Sequence, residues 1–218
     1  MSDEKSVITI DGPSGVGKGT VAKIVAEKLK FSYLDTGAMY RAFALKVLKS
    51  KTNPENNNEL ESLLESTKID FLDNKIFLDS KDISDQIRTE EISLLASKIA
   101  TKKIVRKFLV KLQRLIGSRG NIVAEGRDMG TYVFPDAKNK FYLDAKVEER
   151  AKRRYIQLGE KNIDFNKVKI DLEKRDIQDK NREESPLHPA SNAVIIDTTN
   201  LSISEVVGKI LLYVGGSV

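Results

Sequence analysis

One short stretch, Asp11-Gly12-Pro13-Ser14-Gly15-Val16-Gly17-Lys18-Gly19-Thr20 (DGPSGVGKGT), restricts what this chain can become more than any other. The apolar run Val7-Ile8-Thr9-Ile10 leads into it, and Val21, Ile24, Val25 and Leu29 follow at helical spacing, so the stretch joins a buried strand to an amphipathic helix over Thr20 to Lys30. Glycines at 12, 15 and 17 let backbone N–H groups converge on one point, where a helix amino terminus adds partial positive charge. This is the construction of a phosphate-binding loop, with Lys18 as a mobile ammonium for terminal phosphates. The general pattern places Ser or Thr directly after the lysine to meet magnesium; here Gly19 holds that place and Thr20 comes one residue later. A glycine-rich turn serving only as a connection is the plain alternative, and the register of strand, loop, lysine and helix argues against it. The loop points to a nucleoside triphosphate site and leaves the reaction open.

Four further apolar runs resemble the first: SYLDTG, NIVAEG, KFYLDA and AVIIDT. Each ends in an acid or a turn signal and does not alternate, as expected of strands covered on both faces. Helical patterns over Val147 to Leu158 and Asn166 to Arg182, and a last helix opened by the capping box Ser202-Ile203-Ser204-Glu205, complete an alternation of strands and helices. The expected fold is α/β: a doubly wound, parallel five-stranded sheet with helices on both faces.

Two regions interrupt the alternation. Gly37 and Asn121 are separated by about eighty residues, far more than the ~10–12 that a crossover requires. Within that span Lys51 to Asn58 (KTNPENNN) reads as a polar loop, and Ile69 to Arg88 alternates as strands do, with Asp73-Asn74 as a turn candidate; from Thr89 to about Arg119 the pattern is helical. These features define an inserted small α+β domain over residues 36–116, carried by a core of residues 1–35 and 117–218. The second break, near Gly159 to Phe165 within residues 154–166, reads as a short lid between two charged helices.

Composition narrows the function. With 40% hydrophobic residues among 218, the chain has material for a real core. It has no cysteine, which excludes disulfides and thiolate metal sites and fits a reducing, cytoplasmic setting. Val7 to Ile10 is far too short for a secretory leader or a membrane span. The net charge of +5 suits an anionic partner, but basic residues are interleaved with acids, as in EEISLLASKIATKK, and aromatics are only 6% with no tryptophan. Small phosphorylated ligands fit this pattern better than nucleic acid does.

The sole histidine, His188, lies between prolines in SPLHPA and reads as a surface loop residue. Acyl transfer by a Ser–His pair is therefore not expected. Phosphoryl transfer needs positioning and cations instead, and arginines stand where it would use them. Arg41 and Arg127 follow strand ends, where open α/β sheets bind ligands. Arg175, Asp179 and Arg182 share one helical face at i, i+4, i+7; spacing alone leaves open whether this is a solvated ion pair or an anion-gripping face. Arg150, Arg153 and Arg154 lie on the preceding helix, within reach of polyphosphate oxygens. A regulatory GTPase is disfavoured: Thr67-Lys68-Ile69-Asp70 resembles a guanine-reading motif but opens the insert, and no D-x-x-G occurs.

The motifs DGPSGVGKGT, YLDTGAMYRA, AEGRDMGTYVFPDA, LDAKVEERAKRR and RDIQDKNREESPLHPA stand in the order found in bacterial cytidylate kinases, a family that the chain resembles from about Val7 to its last helix. The GKGT loop is shared with adenylate kinases; the RDMGT–VFPDA and RD–D–NR–SPL blocks resemble the cytidylate branch alone. The resemblance implies ATP and CMP or dCMP giving ADP and CDP or dCDP with Mg2+, in pyrimidine nucleotide metabolism, by a cytoplasmic monomer without nucleic-acid or membrane partners. It implies that Gly12, Pro13, Ser14, Gly15, Val16, Gly17, Lys18, Gly19 and Thr20 hold ATP phosphates, with Thr20 as a magnesium contact. Arg41 and Arg127 would grip the CMP phosphate. Thr36, Ser97, Arg106, Asp128 and Arg182 would surround cytosine, with Asp35 beside them, and Arg175 and Asp179 would face the sugar. Lys18, Arg127, Asp128, Arg153 and Arg154 would carry the transfer, the last two closing over the phosphoryl group. The chain departs from forms associated with the family at Thr36, where serine is also usual, at Glu125, where aspartate is common, and at Asn192, where an acid is expected. The residues themselves leave two alternatives: a kinase of another small acceptor, such as UMP or shikimate, or a nucleotide-gated binding module without transfer.

Overall fold

Strand β1 (Val7–Asp11) runs into the glycine-rich loop, and α1 (Lys18–Leu29) leaves it. The helix begins at the lysine, two residues before the apolar periodicity does, because Gly17 adopts a left-handed φ of 97° as the cap. The structure is a computed structural model that describes residues 6–72, 75–159 and 164–215; the Asp73-Asn74 turn and the 160–163 part of the lid segment lie outside the described residues.

Next come β2 (Ser32–Asp35) and α2 (Thr36–Lys49), a helix that the sequence reading leaves unassigned. Its start is local chemistry: the acid that closes β2, Asp35, accepts the backbone N–H of Ala38 at 2.7 Å and caps the helix, a contact of about 1 kcal/mol. The asparagine-rich run read as loop ends in α3 (Asn57–Glu65), because Asn56 accepts from the N–H groups of Asn58 and Glu59. The alternating segment folds into short strands β3 (Ile69–Leu72), β4 (Lys75–Leu78) and β5 (Lys81–Asp82), then a 3₁₀ turn over Gln86–Arg88. The helical segment after Thr89 is broken into α4 (Glu90–Ile99) and α5 (Lys103–Gly117). At the break, Thr101 folds both its N–H and its hydroxyl back onto Lys98 O, the competition that Thr offers to a continuing helix.

The remaining elements do not alternate strictly. Strand β6 (Ile122–Gly126) is joined to β7 (Asn139–Asp144) through a single π turn over Met129–Val133. Two helices follow in succession, α6 (Val147–Gln157) and α7 (Phe165–Asn181), and β8 (Val194–Asp197) and α8 (Ile203–Gly215) close the chain. The capping box forms: Ser202 N–H donates to Glu205 Oε2 at 2.8 Å and Glu205 N–H donates to Ser202 Oγ at 3.3 Å.

The chain divides into two compact units, one running to Tyr33 and resuming at Arg119, the other spanning Leu34–Ser118. In the first, a five-stranded sheet has the order β2-β6-β1-β7-β8, and β1 pairs in parallel with β6 and β7, as β7 does with β8. Ile8, Ile10, Val123, Phe141, Leu143 and Ile196 cover one sheet face with Val21 and Val25 of α1 and Val207 and Ile210 of α8. Burial on this scale, at about 25 cal/mol per Å2 of apolar area, fixes the strand register. In the second unit β3, β4 and β5 form an antiparallel sheet, and Phe43, Leu60, Ile99 and Leu109 are fully buried. Thr67-Lys68-Ile69-Asp70 lies at the start of this small sheet, away from the late strand a guanine-reading motif would follow.

Candidate active site

Parallel pairing aligns Asp11 with Gly126 and with Tyr142, so the carboxyl ends of β1, β6 and β7 share one edge. The phosphate loop leaves that edge after Asp11, and Arg127-Asp128 leave it after Gly126. Gly12 is required there by space: a Cβ on it, at φ 148°, would sit 2.1 Å from Leu143 O. Gly15, at φ 77°, lies against α6, where a Cβ would be 3.1 Å from Arg150 O. The loop is thus pressed on β7 and α6 along its outer side.

Lys18 folds back over the loop, and its Nζ donates to Pro13 O at 2.7 Å. Burial first, then the Arg127 charge, push this ammonium down to about 7, while Glu125 and Asp179 pull it upward. A buried cation beside other cations is one that a polyphosphate would stabilise strongly. A Cβ on Gly19 would lie in ordinary van der Waals contact, 3.4 Å from Tyr33 Oη and 3.5 Å from Glu125 Oε1, so space alone does not demand glycine there. Thr20, the next hydroxyl after Lys18, is exposed on the first turn of α1.

Arg127 donates from Nε to Asp179 Oδ2 at 2.8 Å and from Nη1 to Gly126 O at 3.3 Å. Burial opposes its charge, but Asp179, with Glu125 and Asp176 behind it, raises the guanidinium above its ordinary value. Burial alone would push the Asp179 carboxyl up; Arg127, then Arg175 and Arg182, hold it below the usual range. Arg182 Nη2 stands 3.3 Å from Asp128 Oδ1, with both side chains 6% exposed, and its Nε donates to Ser185 O at 2.6 Å. The Leu187 N–H returns to Asp179 O at 2.8 Å and folds the SPL segment onto the end of α7. Lys18, Arg127, Asp128, Arg175, Asp179 and Arg182 therefore form one electrostatic cluster.

Other candidates stand elsewhere. Arg150, read as a phosphate-reaching residue, turns inward: Nε donates to Ala145 O at 3.0 Å, and Nη1 to Ser14 O at 3.1 Å and Asp176 Oδ2 at 2.6 Å. Arg153 is held by Glu149 Oε1, Val16 O and both oxygens of Thr198, and Arg154 donates to Gln157 Oε1 at 3.0 Å. His188 is exposed, with Nδ1 3.0 Å from its neighbour Pro189 O.

In the second unit, Asp35 pairs with Arg41 through Oδ2 and Nη2 at 3.0 Å. Gly37 makes room for them, since a Cβ there would meet Arg41 Nη1 at 3.1 Å and Asp35 Oδ1 at 3.2 Å. Buried Arg106 approaches Tyr40 Oη at 3.4 Å. Thr36 is buried at the start of α2, and Ser97 is half-buried on α4. A cavity of about 530 Å3, lined by Val47, Leu94 and Leu95 among others, lies in this unit and contains no arginine. It is not where phosphate chemistry would occur.

Asp11 is the principal residue that sequence reasoning passed over. Its two oxygens accept the N–H groups of Met129 and Gly130 at 2.8 Å each, pinning the turn that follows Arg127-Asp128. Burial pushes its carboxyl up to about 6, against those two hydrogen bonds. The available signal was an acid closing an otherwise apolar central strand.

Sheet order, loop and buried lysine define the class, a P-loop kinase fold. A shikimate kinase structure from Bacteroides thetaiotaomicron has the same fold, with a TM-score of 0.53 and 11% identity over 96% of this chain and 98% of that one. The chain belongs to the cytidylate kinase family, whose sequence pattern matches residues 8–215. It is 48% identical to the cytidylate kinase of Clostridioides difficile (strain 630) over 94% of this chain and 96% of that protein. It is 46% identical to that of Pasteurella multocida (strain Pm70), over 96% and 95%.

Proposed function

We propose that this protein transfers the γ-phosphoryl group of ATP to CMP or dCMP, giving ADP and CDP or dCDP. The observation that carries the reading is the cation cluster of Lys18, Arg127, Arg175 and Arg182 at the strand edge that bears the phosphate loop; family membership supplies the acceptor. An oxygen of the acceptor phosphate attacks Pγ, the bond from Pγ to the β-phosphate bridging oxygen breaks, and ADP leaves with the electron pair. A phosphate oxyanion is already a nucleophile, so the protein's task is to orient it and balance charge.

Gly12 to Thr20 hold the ATP phosphates. Lys18 gains its full charge as the polyphosphate arrives, and Arg127 holds the acceptor phosphate while Asp179 fixes its orientation. Asp128 and Arg182 present an acceptor and a donor to cytosine, and Arg175 with Asp179 meets the sugar. In the other unit, Arg41 is assigned to the acceptor phosphate, and Asp35, Thr36, Ser97 and Arg106 to nucleoside recognition. Arg153 and Arg154 are assigned to the transferring group, which requires Arg153 to leave its contacts with Val16 and Thr198.

Magnesium fits the residues present. Among the described residues no group of three or more His or acidic side chains gathers around a point, but Mg2+ keeps waters and takes one or two carboxylates plus substrate phosphate oxygens. Thr20 is the assigned contact, with Glu125 the acid whose charge reaches Lys18; the ion would neutralise charge on the β- and γ-oxygens. A cytoplasmic, monomeric enzyme of pyrimidine nucleotide metabolism completes the reading. No described helix is long and apolar enough to cross a membrane. A coupled ADP-release assay across CMP, dCMP, UMP, AMP and GMP tests the acceptor: CMP and dCMP should give turnover, and turnover with none of them rejects the proposal.

A further inference from the structure

The phosphate loop is held from behind by α6. Arg150 donates to Ser14 O at 3.1 Å, Arg153 approaches Val16 O at 3.4 Å, and Gly15 packs on the Arg150 backbone. The same Arg150 Nη1 donates to Asp176 Oδ2 at 2.6 Å. Asp176 lies on α7 directly after Arg175 and one turn before Asp179. One buried guanidinium thus joins the loop to the helix that carries Arg175, Asp179 and, just past its end, Arg182.

The pair is a poor device for stability alone. Its side chains are only 8% and 10% exposed, and Asp176 Oδ1 is buried with no hydrogen-bond partner among the described residues. Burying two charges removes solvation that a single attraction repays only with excellent geometry and full satisfaction, and an apolar pair would often serve as well. What an apolar pair would lack is directionality. Arg150 fixes the Ser14 carbonyl and the Asp176 carboxylate to one planar group, so neither the loop nor α7 can shift without disturbing the other.

We propose that Arg150 and Asp176 are positioning residues that couple the two substrate sites, so that occupation of the phosphate loop by ATP tightens acceptor binding on the α7 face, and the reverse. The inference rests on the assignment of that face to CMP. Coupling is reciprocal and for linked sites amounts to about 5- to 150-fold. Neither residue is assigned a contact with ATP or CMP, so the effect runs through the loop and α7.

The test is calorimetric titration of CMP and of a non-hydrolysable ATP analogue, each alone and with the other saturating, on the full chain. Saturating CMP should tighten the analogue by about fivefold or more. In Asp176→Asn, which keeps an oxygen for Arg150, and in Arg150→Met, that ratio should fall to within about twofold of one; Arg150→Lys should restore part of it. Thermal melting is recorded alongside, because a merely structural pair would lower the melting temperature and leave the ratio intact. An unmodified protein in which both ligands bind without coupling, or variants that keep the full ratio, overturns the inference alone. If Arg150→Met fails to fold, Asp176→Asn and Arg150→Lys decide the matter by the same ratio. Failure of CMP to bind while the analogue binds overturns the functional reading, and the inference with it.

Discussion

Arg127 and Asp179 meet through a single Nε to Oδ2 hydrogen bond of 2.8 Å that joins the end of β6 to the last turns of α7, 52 residues apart. The pair is nearly buried, at 18% and 11% side-chain exposure. Around it Arg175 and Arg182 add positive charge, which with Arg127 holds the Asp179 carboxyl below its usual range. This is the arrangement phosphoryl transfer requires, with charge fixed before the substrate enters.

Removing the carboxylate leaves that guanidinium buried and unpaired. Asp179→Ala is expected to lower unfolding free energy at pH 7 by about 3–5 kcal/mol, the range for breaking a buried pair. The folded-state pKa of Asp179 is depressed, so its stabilising contribution is present above the unfolded value near 3.8 and is lost as pH falls through the folded one. Urea unfolding of both proteins at several pH values should show the gap narrowing below that point.

Arg182 speaks for the acceptor. Arg182→Met should weaken CMP binding by about 1–3 kcal/mol, the loss when a buried polar partner goes unmet, and should leave ATP-analogue affinity within about twofold. Separate titrations of the two ligands decide it; a collapse of ATP affinity with CMP binding intact would show the face assigned wrongly.

Lys18 speaks for the donor. With its ligand-free value near 7, most of the ammonium is deprotonated at pH 8, and a bound polyphosphate restores the charge. ATP-analogue binding at pH 8 should therefore take up close to one proton, read from titrations in buffers of different ionisation enthalpy, and affinity should fall as pH rises above 7. Lys18→Met should abolish the uptake and severely reduce transfer.

Asp11 carries the opposite pH sign from Asp179. Its raised value of about 6 means that the folded state holds the proton more tightly, so this group's contribution to stability falls as pH rises from about 4 through about 6. Asp11→Asn should remove that dependence. Because an amide offers only one acceptor to the Met129 and Gly130 N–H groups, it should also lower kcat/KM.

The elements legible in the sequence were those written in local chemistry. Five apolar runs gave five strands, the loop declared itself through Gly12, Gly15, Gly17 and Lys18, and the Ser202–Glu205 box began α8 where the pattern placed it. Asn56 was read as part of a polar loop and the helix after Asp35 was left unassigned, because an acid after a strand and an asparagine in a polar run mark a helix cap as readily as a turn. The Arg175 and Asp179 pair on α7 was visible, but the helix stops at Asn181 and Arg182 follows it in extended backbone, not on the helical face that the i+7 spacing suggested. The partner Arg127 was not visible, because spacing says nothing about which distant strand end a helix meets. Arg150 shows the limit most clearly. Its position on α6 was compatible with reaching a phosphate, and only the packing of the loop against that helix turns it toward Ser14 and Asp176.

Transfer of label from γ-labelled ATP, with Mg2+ and resolved nucleotides, measures the proposed reaction most directly. With CMP or dCMP the label should appear in CDP or dCDP as ADP forms in equal amount, and AMP and GMP should be poor acceptors. Label appearing in no nucleoside diphosphate, although ATP binds and its affinity is unmoved by CMP, would contradict the assignment and leave a nucleotide-binding protein without transfer activity.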